Sequence, residues 1–166
     1  MAAAAALVLI AVGLPWLLRE TGPSIQEVSL SGPLIDVRGQ EPIQMPLVPG
    51  GEAELRVVLG GPAWLAVVRF DPDQSFELVQ SLVAVKVDRG ESLHHFPLGQ
   101  EVGPRGYLLL VSEQRLDADK AGALVSEAAL RAQETALPFS EYLDLVVAEL
   151  RAEPQLDAVH EIVNLE

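Results

Sequence analysis

From residue 25 onward, apolar and polar positions alternate in short runs separated by glycine and proline. Ile25–Leu30 sets Ile25, Glu27 and Ser29 against Gln26, Val28 and Leu30, the period of two of a half-buried strand. Leu34–Arg38 is a second short extended piece, inside a stretch from Thr21 to Gly51 punctuated by Gly22-Pro23, Gly32-Pro33, Pro42, Pro46, Pro49 and Gly50-Gly51. Glu54–Leu59 ends at Gly60-Gly61-Pro62. Trp64–Phe70 follows, with Trp64, Ala66, Val68 and Phe70 on one face. Asp71-Pro72-Asp73-Gln74 has the residue types of a type I turn, so Ser75–Gln80 should return as a hairpin partner. Leu82–Val87 alternates again and closes on the turn Asp88-Arg89-Gly90-Glu91. Tyr107–Ser112 is apolar almost throughout, the signature of a central strand covered on both faces.

The period changes near Glu113. Asp117 suits a helix N-cap, and Ala121, Leu124, Val125, Ala128 and Ala132 then form one stripe. Pro138 interrupts, Ser140 is a second cap candidate, and Leu143, Val146, Val147 and Leu150 form the next stripe. Beyond Pro154, the spacing of Leu156, Val159 and Val163 predicts a last short helix. The expected fold class is α+β: an antiparallel β-sandwich or partly open barrel over 25–112, followed by two or three helices. The C-terminal helical region, 113–166, is expected to pack on it.

Ahead of this body, Ala2–Leu18 is a run of 17 residues with no charged side chain, closed by Arg19 and Glu20. At 1.5 Å per residue it spans about 25 Å, the short end of what crosses a bilayer. No basic leader region precedes it and no A-x-A cleavage pattern follows it, so the expectation is an N-terminal transmembrane helix over 2–18 and a linker over 19–24. Arg19 read alone would keep the body in the cytoplasm. Glu20 offsets it, and the expected location is the cell inner membrane, single-pass, with the soluble domain extracytoplasmic.

Charge and composition remove several functions. The chain has 166 residues, 11 basic and 24 acidic, for a net charge of −13, which argues against nucleic acid. Residues 113–166 carry 4 basic and 12 acidic groups, a net of −8, against 7 and 12, a net of −5, in the first 112. With no cysteine there is no disulfide and no thiolate metal site.

His94-His95 is the first pair of metal-ligating type to weigh, but neighbours in a strand point to opposite faces and His160 is remote, so no metal site is assigned. Asp88 and Glu91 add nothing fixed. Asp71-x-Asp73 begins like a calcium loop, yet Gln74, Ser75 and Phe76 do not continue it, so it reads as a turn. Ser75, Ser81, Ser92, Ser112, Ser126 and Ser140 sit in no G-x-S-x-G elbow, and Gly60-Gly61-Pro62 precedes no phosphate-binding lysine. The inventory yields no catalytic, cofactor-binding or metal residues and no cofactor, and the chain is read as not an enzyme. The acidic helical stretches Asp117–Glu134 and Glu141–Arg151 either cover the sheet or meet a basic partner.

The segment from Glu52 to Leu130 resembles a bacterial domain family of unknown function, found in extracytoplasmic parts of membrane-anchored regulators such as anti-sigma-factor-like proteins and beside caspase-like peptidases. The matching parts are the strand Ala63–Phe70, the acidic turn Asp71–Gln74 and the return Phe76–Val79. They continue with the piece Leu93–Leu98, the approach and apolar strand Gly103–Ser112 with Glu113-Gln114-Arg115-Leu116, and the helix Asp117–Ala132. The Cys/His zinc-binding region of cytoplasmic anti-sigma modules and any peptidase motif are missing. The resemblance implies a non-catalytic accessory or sensory domain on a membrane tether. The function expected is therefore a membrane-tethered, non-enzymatic interaction or sensory domain of a bacterial regulatory system, bound to the membrane through 2–18 and to another protein. The alternatives are a structural subunit of a membrane protein complex, whose anchor would pack through Ala2–Ala6, or a hydrolase of unknown type.

Overall fold

The structure, a computed structural model, describes residues 23–35, 41–133 and 137–166. The expected anchor over 2–18 and most of the linker over 19–24 lie outside the described residues, as does the second half of Leu34–Arg38. Among the described residues no helix is long and apolar enough to cross a membrane.

Among the described residues, ten strands and two α-helices follow in chain order: β1 Ile25–Ser31, β2 Leu34–Ile35, β3 Ile43–Gln44, β4 Glu52–Leu59, β5 Ala63–Phe70, β6 Phe76–Leu78, β7 Val85–Val87, β8 Gly90–Pro97, β9 Gly103–Ser112, α1 Ala118–Ala132, α2 Phe139–Arg151 and β10 Leu156–Leu165. Strands β1, β4 and β8 make a three-stranded antiparallel sheet in that order. A five-stranded sheet runs β10-β9-β5-β6, with β7 beside the other half of β5. The small β2–β3 pair stands apart from both. The class is mixed α+β, with mostly antiparallel sheets and two helices following nine strands.

The layers follow from the period of two. On β5, Leu65 and Val67 face the three-stranded sheet, and Ala66, Val68 and Phe70 face the helices. On β9, Leu109 and Val111 point the first way, Leu108 and Leu110 the second. The five-stranded sheet thus lies between two cores, which is why Arg105 through Ser112 are all buried. The stripe Ala121, Val125, Ala128 and Ala132 on α1 and Tyr142, Leu143, Val146, Val147 and Leu150 on α2 close the helical side. Close approach of α2 needs Gly106, where an added Cβ would lie 2.4 Å from a methyl carbon of Leu143.

Several expectations change. The predicted last helix is β10. It pairs with β9 along ten positions, from Leu156 opposite Ser112 to Leu165 opposite Gly103. Leu156, Val159 and Val163 fit a helical stripe, but in the strand Leu156 faces the helices and Val159 and Val163 face the three-stranded sheet. Strand β9 is buried on both faces, and without β10 its outer backbone groups would lack partners. The region 113–166 is accordingly helical only to Arg151. Ser140 is not the cap of α2; Pro138 holds that position, its carbonyl accepting from Tyr142 N at 3.0 Å, with no side-chain cap. Leu82–Val87 is a strand only over its last three residues, because Gln80–Leu82 forms a 3₁₀ turn and Ala84 takes φ 56°. Asp117 does cap α1, its Oδ1 accepting from Lys120 N at 2.9 Å.

Candidate functional site

The registers fix which ends coincide. Ile25 at the start of β1 lies opposite Leu59, and Leu59 opposite Gly90. At the other end, Ser31 lies opposite Glu54, and Glu52 opposite Pro97. Leu98 N donates to Gly51 O at 2.8 Å, and Gly50 N to Gly99 O at 2.7 Å, so the loops after β3 and β8 meet there. Two features occupy this end, away from where the chain enters β1.

The first is a cleft of about 380 Å³ lined by Arg69, Glu77, Leu78, Val79, Gln80, Ser81, Pro97 and Tyr107. Glu77, Arg69, Tyr107 and Glu161 are successive partners across β6, β5, β9 and β10, so antiparallel pairing puts all four on one face. Arg69 Nη2 donates to Glu77 Oε2 at 2.8 Å, and its Nε lies 3.8 Å from Asp71 Oδ1. From β9, Arg105 places Nε 2.9 Å from the same Asp71 oxygen, donates through Nη2 to Glu101 Oε2 at 2.9 Å and through Nη1 to the Pro104 carbonyl at 2.8 Å. Neither Nε is aligned on Asp71 Oδ1 as a hydrogen bond, so the attraction there is between whole charges. The Arg105 side chain is 10% exposed, which makes this the most buried ion pair among the described residues.

Tyr107 forms part of the cleft wall. It is 5% exposed, its ring lies 5.4 Å from that of Phe96, and its hydroxyl has no hydrogen-bond partner in the protein. Burial raises the phenol above its ordinary 10.0, against the opposing pull of Arg69 and Arg105, so the hydroxyl keeps its proton at physiological pH.

The second feature is apolar. Leu34, Ile35, Ile43, Met45 and Val48 are between 40 and 53% exposed on and just after the β2–β3 pair. This hairpin is held at its base: Met45 N donates to Pro33 O at 3.0 Å and Gln44 Nε2 to Gly32 O at 3.1 Å. A Cβ on Gly32 would fall 1.9 Å from the Met45 carbonyl oxygen, so only glycine fits. Ile35 and Ile43 are partners on one face of the pair and Leu34 takes the other, so the exposed apolar groups lie on both sides of this hairpin; exposed apolar groups of this size are associated with interaction surfaces.

The residues weighed from sequence fall elsewhere. His94 faces inward on β8, with Nε2 3.1 Å from Ser92 Oγ, while His95 faces outward, 3.8 Å from Glu54. Burial, and secondarily His95, lowers the His94 pKa. His160 lies on β10, 3.9 Å from Asp144. Among the described residues no three His, Asp or Glu side chains converge as a metal site. Asp71 and Asp73 do form the β5–β6 turn, with Gln74 N donating to Asp71 O at 2.9 Å. Asp73 Oδ1 accepts from Ser75 Oγ at 2.6 Å and Ser75 N at 3.0 Å, and these bonds lower its pKa. Arg69, Arg105 and Tyr107 were not singled out from sequence. The available signal was two arginines inside otherwise apolar strands, positions at which a charge needs a partner.

Comparison with models of known families, with curated proteins and with solved structures gave no match, so the site is interpreted from its own chemistry.

Proposed function

We propose that this chain is a membrane-tethered, non-enzymatic interaction or sensory domain of a bacterial regulatory system, held at the inner membrane by residues 2–18 and acting on another protein. The observation that carries the reading is the position of the exposed apolar hairpin, at the end of the sandwich opposite the start of β1. Strand β1 has seven residues, about 23 Å of chain at the usual rise. A domain tethered through the residue before β1 would therefore hold its sticky end away from the bilayer, where a partner can reach it. Tethering confines the domain near other membrane proteins and raises its effective concentration for them. The net charge of −13 repels anionic headgroups and leaves the anchor as the sole lipid contact. The resemblance of Glu52–Leu130 to extracytoplasmic regulator domains agrees with this reading and with an extracytoplasmic body.

Vesicle flotation tests the tether. The full chain should float with liposomes, and a chain shortened to begin at Thr21 should stay in the soluble fraction while keeping its circular dichroism. Equal partitioning of the two chains would refute the reading.

A further inference from the structure

We propose that the outer edge of β10, beyond Asp157, is a docking site for an extended segment of a basic partner protein, which adds to the five-stranded sheet as a further strand. A strand at a sheet edge presents a row of backbone N–H and C=O groups to whatever lies beside it. The other edges of the two large sheets are blunted. Strand β1 carries a register shift between Ile25 and Glu27, β6 and β7 have three residues each, and β8 begins at Gly90 with φ 107° and ends at Pro97. Strand β10 has ten residues, no proline or glycine and no register shift against β9, and among the described residues no strand pairs with its other side. Its side chains decide which strand fits. Asp157 is already engaged, Oδ2 accepting from Ile25 N at 2.8 Å and Oδ1 from Arg151 Nε at 3.0 Å. Further on, Val159, Glu161 and Val163 share one face, and Ile162, 38% exposed, lies on the other. Glu161 is half-buried and forms no ion pair among the described residues. Antiparallel pairing with a second copy would set Glu161 opposite Asp157, Val159, Glu161, Val163 or Leu165, an acid or an apolar group in every register. Residues 113–166 also carry a net charge of −8, so two copies repel along this side. A foreign strand with lysine or arginine opposite Glu161 and β-branched residues opposite Val159 and Val163 meets neither objection. Its main chain supplies the hydrogen bonds and its cation the match to Glu161, a contact additional to the apolar hairpin.

The probe is the peptide Thr-Val-Thr-Lys-Thr-Val-Thr, capped at both ends, which reads the same in either direction and so tests both strand orientations. Two controls accompany it: the same peptide with glutamate for lysine, and the lysine peptide N-methylated throughout, which has no main-chain donors. The full chain with lipid nanodiscs is titrated with each, and the backbone amide signals and their hydrogen exchange are followed by NMR. The lysine peptide should shift the amides of Val159 to Asn164 saturably and slow the exchange of alternate ones. The glutamate peptide should bind at least about fivefold more weakly, and the methylated peptide should leave these amides unchanged. Glu161→Lys should reverse the order of the lysine and glutamate peptides, and the milder Glu161→Gln, which keeps the shape of the side chain, should make them equal. Four results overturn the proposal: no saturation by the lysine peptide up to about 5 mM, equal binding of the methylated peptide, no charge preference in wild type, or a concentration-dependent dimer of the chain alone that protects the β10 amides. The last would give the edge to a second copy. Each readout comes from β10 whether or not the chain is anchored, so this site and the tether stand or fall separately.

Discussion

The two sheets meet solvent differently, and the difference is written into their side chains. The three-stranded sheet has one wet face. On β4, Ala53, Leu55, Val57 and Leu59 turn inward, while Glu52, Glu54, Arg56 and Val58 turn outward. Its outer face carries an ion-pair ladder, Arg56 lying 2.8 Å from Glu91 and 3.6 Å from Glu27. The five-stranded sheet has no wet face along β5 and β9, where Leu65 to Val68 and Tyr107 to Val111 are all buried. Where charge enters that sheet, as Arg69 and Arg105, it stays at the rim and is matched by carboxylates. An arginine in the first sheet decorates a surface. An arginine in the second is part of the packing.

Substitutions at matched positions should break or sharpen this contrast. The largest effect is expected from Leu110→Ala in β9, a fully buried position facing both helices; urea denaturation should show a loss of about 3 kcal/mol. A loss under about 1 kcal/mol would mean that the helical layer contributes little. Next, Arg105→Ala leaves Asp71 without its closest cation and should also cost about 3 kcal/mol. Arg56→Ala, its counterpart on the wet face, should leave the denaturation midpoint almost unchanged. Similar losses for the two arginines would erase the distinction. Asp117→Ala removes the α1 cap and should cost about 1 kcal/mol by the same measurement.

The pH dependence is smaller. The folded pKa of His94 lies below its ordinary 6.5, so the unfolded chain binds the proton more readily. The His94 contribution is complete above pH 6.5 and is lost as pH falls through the depressed folded value. Thermal melts from pH 7.5 to 5 should show wild type losing more stability than His94→Gln, and parallel curves would remove histidine from the account. The smallest effect is expected for Leu93→Asp, on the outer face of β8 and 52% exposed, which should stay within about 0.5 kcal/mol of wild type.

Much of the fold was legible along the chain because single elements announce themselves locally. An unbroken apolar run marks a strand covered twice, as in β9. An aspartate ahead of an apolar stripe marks a helix start, as at Asp117. The Asp-Pro-Asp turn placed the β5–β6 hairpin. Strand β10 was not legible, because Leu156, Val159 and Val163 satisfy two periods and only the open edge of β9 chooses between them. The site was hidden for the same reason. Nothing local links Arg69, Glu77 and Tyr107, which become neighbours through strand register.

By itself the sequence determined most of the extended and helical segments up to Arg151, though not β3, the start of β8 or the 3₁₀ turn before β7, together with the acidity of the whole and the apolar character of residues 2–18. These are properties of composition and short-range period, set by each residue and its nearest neighbours in the chain. Tertiary structure alone decided that the last ten-residue segment is a strand, that an apolar hairpin and a tyrosine-walled cleft share one end, and which arginine is buried. Each of those depends on backbone groups and charges finding partners far away in sequence, and such partners exist only once the sheets have formed.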